Sequence, residues 1–390
     1  MKPLVIKNGR VIDPANRVDE TRDVWVVDGK ISAPPATPPA AADRIDARGK
    51  LVVPGLIDLH VLLREPGRTD KETIETGTQC AARGGFTSVV CMPNTSPPAD
   101  NTGTISLIRQ RADGVGAVNV FPTGAITKEL KGEELAPIGS LKKAGVVAIT
   151  DDGNCVQNAD LMRHAVEYAK MFELPVMDHC QDYSLTSEGV MHEGYWNIAL
   201  GLRGWPAVGE NVIVARDILL AELTDWYIHC QHISSARSVD MLRLAKQRGI
   251  KITVEACPHH FTLTDESLKT YDTNLKMNPP LRGEADRQAL VEGLADGTID
   301  CIASDHAPHC TYEKEVEFDI APFGIIGLET ELALSLDLVH KKSLKLTQLI
   351  EKLTVNPAKL LRLPKGTLSV GADADIAIID LDNFCRRHLV

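Results

Sequence analysis

Eight short apolar runs punctuate the middle of the chain: LVVPGLIDLH (51–60), FTSVVCMPN (86–94), AVNVFPTGAI (117–126), GVVAITDDG (145–153), LPVMDHC (174–180), WYIHCQHIS (226–234), KITVEACPHH (251–260) and IDCIASDHAPH (299–309). A polar cluster follows each. Stretches of helical periodicity separate several of them, at 157–172, 210–223, 235–248 and 284–296. Runs this short and continuous suit strands buried on both faces, and eight of them alternating with helices predict a closed (β/α)8 TIM-like barrel over residues 51–365. A doubly wound open sheet competes, but no glycine-rich dinucleotide turn follows the first run.

The two ends of the chain have a different texture. LVIKNGRVID, DVWVVDGKIS and RIDARGKLVV near the N-terminus, and GTLSVGADADIAIIDLD (366–382), alternate as short strands do. Residues 1–50 and 366–390 are therefore expected to form one small β-sandwich module. A Pro/Ala loop, APPATPPAAAD, interrupts its first part.

Composition narrows the classes. A net charge of −11 argues against nucleic acid as the main partner. It leaves room for a small anionic substrate held by a few local cations. No run of about 18 apolar residues predicts a membrane span, and the N-terminus has no signal-peptide pattern. Nine scattered cysteines without a C-x-x-C pair predict reduced thiols and a cytoplasmic location.

His60, Asp152, His179, His232 and Asp305 fall at the C-terminal ends of the first, fourth, fifth, sixth and eighth runs. In a barrel these ends meet on one face, where active sites are built. Imidazoles and carboxylates suit zinc, so the five residues are a candidate metal site. His164, His192, His340 and His388 lie in helical or tail contexts and receive no role. His229 falls out of phase with the inward-pointing residues and reads as packing. Asp151 competes with Asp152, since neighbouring strand residues face opposite sides and only one of the two should reach the metals.

The series GLIDLHVLLREPG, CMPNTSPPADN, ITDDGN, MDHCQD, HCQHIS, KMNPPLR and ASDHAPH resembles the motif series of the dihydroorotases, in the cyclic amidohydrolase superfamily, from residue 4 to about 382. The resemblance implies zinc-dependent interconversion of N-carbamoyl-L-aspartate and L-dihydroorotate. It implies one or two zinc ions: His60 and Asp305 on the first metal, His179 and His232 on the second, and Asp152 bridging. Asp305 would also be the general acid/base. Arg64 and Asn94 would hold the substrate carboxylate, with Asn278 and His309 completing the pocket. An aspartate bridge is similar to the bacterial dihydroorotases, whereas hydantoinases and dihydropyrimidinases typically carry a carboxylated lysine. The resemblance also implies a homodimer.

One position departs from the pattern. The family carries H-x-H, and here the stretch reads His60-Val61-Leu62. Leu62 shares a side with His60 by strand alternation and offers no lone pair. Impaired catalysis is therefore expected. The competing readings are an inactive dihydroorotase-like subunit partnering aspartate carbamoyltransferase, or another cyclic amidase of the hydantoinase or allantoinase type. The loop 309–318 is a candidate lid, and the tail NFCRRHLV is short for the family.

Overall fold

The computed structural model describes residues 2–35 and 42–381; the final part of the proposed end module, 382–390, and the short tail lie outside them. The barrel forms from the eight runs. Parallel strands Leu56–Val61, Phe86–Cys91 and Asn119–Pro122 are paired in that spatial order. Val176–Asp178, Ile228–Cys230, Ile252–Ala256 and Cys301–Ile302 form a second parallel arc. The run 145–153 joins the arcs through Ile149, which bridges Gly124 on one side and Val176 on the other. A parallel bridge from Val61 to His306, with Leu62 N–H donating to the His306 carbonyl at 2.9 Å, closes the circuit.

The first run is two strands rather than one. Leu51–Pro54 pairs with Ile376–Ile379 and with Arg10–Asp13, inside the sheet of the chain ends, and only Leu56–Val61 enters the barrel. Gly55 lies at the break. Any Cβ there would overlap the Thr87 side chain, so only glycine lets the two segments pass this close. The end module consists of two four-stranded sheets, one built from Leu4–Lys7, Val24–Val27, Lys30–Ser32 and Asp43–Asp46, the other from Arg10–Asp13, Val18–Thr21, Leu51–Pro54 and Ile376–Ile379. Val11, Val24, Ile31, Val52 and Leu368 pack between them.

Helices form the outer layer for local reasons. In Ala159–Met171 the Asn158 side chain accepts from the Asp160 and Leu161 N–H groups, and Met162, Ala165, Val166 and Ala169 repeat on one buried face. Helix Ile74–Gly84 starts at a Thr73 cap and stops at Gly85, whose φ of 91° an L side chain rarely adopts. All eight cysteines among the described residues are free thiols. No helix among these residues is long and apolar enough to cross a membrane.

Candidate active site

The barrel brings the five strand-end residues together. His60 Nε2 lies 3.2 Å from Asp152 Oδ2 and 3.4 Å from Asp305 Oδ1. Asp152 Oδ1 is 3.5 Å from His179 Nδ1 and 3.4 Å from His232 Nε2. His179 Nδ1 and His232 Nε2 are 2.9 Å apart. Donor atoms of His60, His232 and Asp305 converge within 4.8 Å of one another, and so do those of Asp152, His179 and His232. His232 therefore faces both groups.

The electrostatics ask for a cation. All five residues are buried. Burial alone would strip His60 of its proton, but Asp152, Asp305 and Glu255 overcome that and hold its pKa well above the ordinary value. Burial pushes the Asp152 carboxyl up, but His60 and the hydrogen bonds to His179 and His232 prevail and hold it well below the carboxylate range. Yet His60 Nε2 has no aligned hydrogen-bond partner despite complete burial. A divalent ion satisfies that nitrogen and the converging carboxylates together, and the N/O donor set fits zinc. The residues present therefore fit a metal.

The choice between neighbouring aspartates is made by partners. Asp151 accepts from the Ile126 N–H (2.8 Å), the Thr127 N–H (2.9 Å) and the Thr127 hydroxyl. It turns away to fasten the loop after the third strand. Asp152 turns inward.

A cavity of about 360 Å³ opens over the cluster. Leu62, Arg64, Asn94, Asn278 and His309 line it beside Asp152, His179, His232 and Asp305. Leu62 is only 7% exposed and presents an apolar wall to the pocket. Arg64 Nε donates to the Pro308 carbonyl at 3.3 Å. His309 Nε2 donates to the Phe323 carbonyl at 2.8 Å, and its Nδ1 accepts from Lys71 Nζ at 2.9 Å. Burial, then Arg64 and Lys71, lower the His309 pKa to about 4, so the ring is neutral. Asn278 Nδ2 donates to Gln181 Oε1, which also sits 2.9 Å from His179 Nε2. Arg64, His232 and Asp305 all have positive φ, at 58°, 34° and 47°. Such conformations are costly for these residue types and persist where surrounding structure enforces them.

Sequence reasoning missed Glu255. Fully buried, it accepts from His60 Nδ1 at 2.8 Å through Oε1 and from His229 Nε2 at 3.0 Å through Oε2. His229 is thus buried as expected, but it also fixes the carboxylate that orients His60. The available signal was a lone acid inside an apolar strand. Asp58 was also missed: it accepts from the His60 and Ser304 N–H groups and ties the first strand to the eighth.

The Dihydro-orotase-like family model matches residues 49–238. Two relatives named dihydroorotase, from Pelotomaculum thermopropionicum and Geotalea daltonii, are 58% and 54% identical over 382 and 379 residues. Each alignment covers 97% of this chain and 89% of the relative. The chain belongs to the dihydroorotase family. Among solved structures it is similar to an L-hydantoinase from Arthrobacter aurescens, with a TM-score of 0.86 and 25% identity, covering 96% of this chain and 86% of that one. A dihydropyrimidinase from Brevibacillus agri NCHU1002 superposes with a TM-score of 0.84 at 24% identity, covering 97% and 86%, a likeness of fold. These neighbours are amidohydrolases with TIM-barrel folds, in keeping with the (β/α)8 architecture expected from the eight runs.

Proposed function

We propose that this chain is a metal-dependent dihydroorotase of pyrimidine biosynthesis, interconverting N-carbamoyl-L-aspartate and L-dihydroorotate, with turnover reduced by Leu62. The observation that carries the reading is one pocket in which a buried His/Asp cluster and Arg64 face each other, in a chain 58% identical to a dihydroorotase.

In this reading His60, Asp305 and Asp152 would hold one zinc ion, and His179 and His232, with Asp152, a second. Bound zinc would polarise the scissile carbonyl and lower the pKa of a water. The chain's own residues do the rest. Arg64, with Asn94, Asn278 and His309, holds the substrate carboxylate and so fixes which face of the ring turns toward the cluster. Burial is the largest influence on Asp305 and raises its pKa, with His60 opposing. A carboxyl that retains a proton is suited to protonating the leaving nitrogen, and in its ionised form to taking that proton from water. Leu62 removes one donor from the first metal position while Asp152, His179 and His232 keep three at the second, enough for a catalytic zinc. We therefore expect one tightly held ion and a second held weakly.

The same reading divides the chain into a catalytic barrel and a bracing module of the chain ends; the boundary expected at residue 51 moves to Gly55, because Leu51–Pro54 pairs with Ile376–Ile379 and Arg10–Asp13. It places the protein in the cytoplasm as a homodimer. Helix Val208–Thr224 exposes Val208, Val212, Leu219 and Leu223 along one line, which supports an association surface. Leu62 also favours a second reading: a non-catalytic subunit associated with aspartate carbamoyltransferase. A hydantoinase or allantoinase activity is disfavoured by Arg64, a carboxylate partner those substrates do not need. The test is hydrolysis of L-dihydroorotate with added zinc. Measurable ring opening supports the enzyme. No turnover in either this chain or Leu62→His, with zinc bound, moves the partner-subunit reading to the front.

A further inference from the structure

We propose that Cys257, His259 and His260 form a separate site for a borderline divalent cation such as Zn2+. The strand Ile252–Ala256 ends at Cys257, and the short helix Pro258–Thr262 follows at once. The chain thereby sets a thiol and two imidazoles side by side, with one donor atom of each within 4.8 Å of the others. The three residues are 0%, 5% and 2% exposed.

Two buried nitrogens have no partner, His259 Nε2 and His260 Nδ1. For His260 the tautomer follows from chemistry. Its Nε2 lies 2.9 Å from the Pro279 carbonyl, which only accepts, so Nε2 carries the hydrogen and Nδ1 keeps its lone pair. An imidazole that donates to a carbonyl through one nitrogen while the other faces inward is the arrangement that orients metal ligands. Burial lowers the pKa of His260 to about 3 and takes His259 well below its ordinary value, so both rings are neutral and able to ligate. A buried, unpaired acceptor is costly, and a cation would satisfy it.

The surroundings favour positive charge. Burial first, then the carboxylates of Asp305, Glu255, Glu331 and Asp58, push the Cys257 thiol well up. Of these, Glu255 is held ionised by His60 and His229, and its charge favours a divalent ion nearby, whose own charge reverses the local logic. On binding, the S–H proton leaves to solvent and a sulfur–metal bond forms, with no change of oxidation state. A Cys/His/His donor set suits zinc or cobalt and excludes the oxygen-seeking Mg2+ and Ca2+. No residue is shared with the central cluster, so the two loadings are separable.

The test is cobalt titration of the full chain after chelator treatment, followed by absorbance. The central cluster offers only nitrogen and oxygen, so a thiolate-to-cobalt charge-transfer band reports sulfur ligation elsewhere. We expect that band in the parent chain and in the Cys180→Ser/Cys230→Ser double variant, which removes the other buried thiol cluster. We expect its loss in Cys257→Ser. His259→Gln should raise the cobalt concentration for half the band by roughly 100-fold, since even outer-shell partners of a ligand are worth about 10–100-fold. Cobalt bound at the central cluster of each variant serves as the control for folding. A cobalt-loaded parent without the band, a band that survives Cys257→Ser, or a titration unmoved by His259→Gln overturns the proposal.

Discussion

Replacing Leu62 by histidine should destabilise the metal-free chain, and zinc should recover much of the loss. Leu62 is 7% exposed, packs in a cluster with Val90, Met92 and Ala307, and lines the cavity over Asp305 and His232. Removing its apolar burial costs about 2 kcal/mol. The imidazole that replaces it brings polar nitrogens into a nearly dry wall, where an unmet one costs about 1–3 kcal/mol. The metal-free Leu62→His chain should thus be less stable by about 3–5 kcal/mol. Zinc offsets much of that loss. A four-ligand structural zinc site is worth about 10–16 kcal/mol, so one added ligand is worth about 3 kcal/mol, or roughly 100-fold in affinity for the first metal. At a zinc concentration that saturates the variant but not the parent, the difference returns about 2.7 kcal/mol of stability. The assays are denaturant unfolding with chelator and with zinc, zinc competition against a chromophoric chelator, and hydrolysis of L-dihydroorotate. The reasoning is refuted if the metal-free variant loses stability while zinc affinity stays put, because Leu62 would then not face the metal position. A gain in affinity without a gain in turnover would show that the first metal is dispensable.

The neighbouring aspartates should separate cleanly: Asp152→Asn should abolish zinc binding at the central cluster and turnover. Asp151→Ala should leave zinc affinity near that of the parent but lower unfolding free energy by about 2–6 kcal/mol, because two buried N–H groups lose their acceptor; equal metal loss in both would contradict the assignment. Glu255→Gln removes the charge that fixes His60 Nδ1, and equilibrium dialysis should find zinc affinity reduced by about 10–100-fold. Lys314 donates to the Thr273, Pro322 and Gly324 carbonyls at 3.1, 2.8 and 2.7 Å, and Lys276 to those of Phe318 and Asp319. Lys314→Met should therefore loosen the pocket wall at 322–324 and raise KM several-fold more than it lowers kcat; an unchanged KM counts against it. Burial lowers both lysines from 10.5 to about 8. Between those values the folded chain has released protons that the unfolded chain still holds, so these groups make stability rise with pH from about 8 toward 10.5. Urea midpoints across that window should rise less in Lys314→Met than in the parent.

The spacing of apolar runs was enough to expect a barrel, because a strand buried on both faces must be written as a short continuous apolar word. It was enough, too, to place His60, Asp152, His179, His232 and Asp305 on one face, since each stands where such a word ends. Strand periodicity also foretold that Leu62 would stand beside the cluster. Three matters needed tertiary structure. The break at Gly55 depends on Thr87, a residue of the neighbouring strand that comes too close for any Cβ. The preference for Asp152 over Asp151 depends on the Ile126 and Thr127 N–H groups, which belong to a different run. The support of His60 by Glu255 joins strands far apart in sequence, and that of Glu255 by His229 crosses to the neighbouring strand. Periodicity along one segment reports which way a side chain points; it carries nothing about the donor or acceptor waiting there, and that partner decides whether a buried charge is a ligand, a brace or a fastening for a loop.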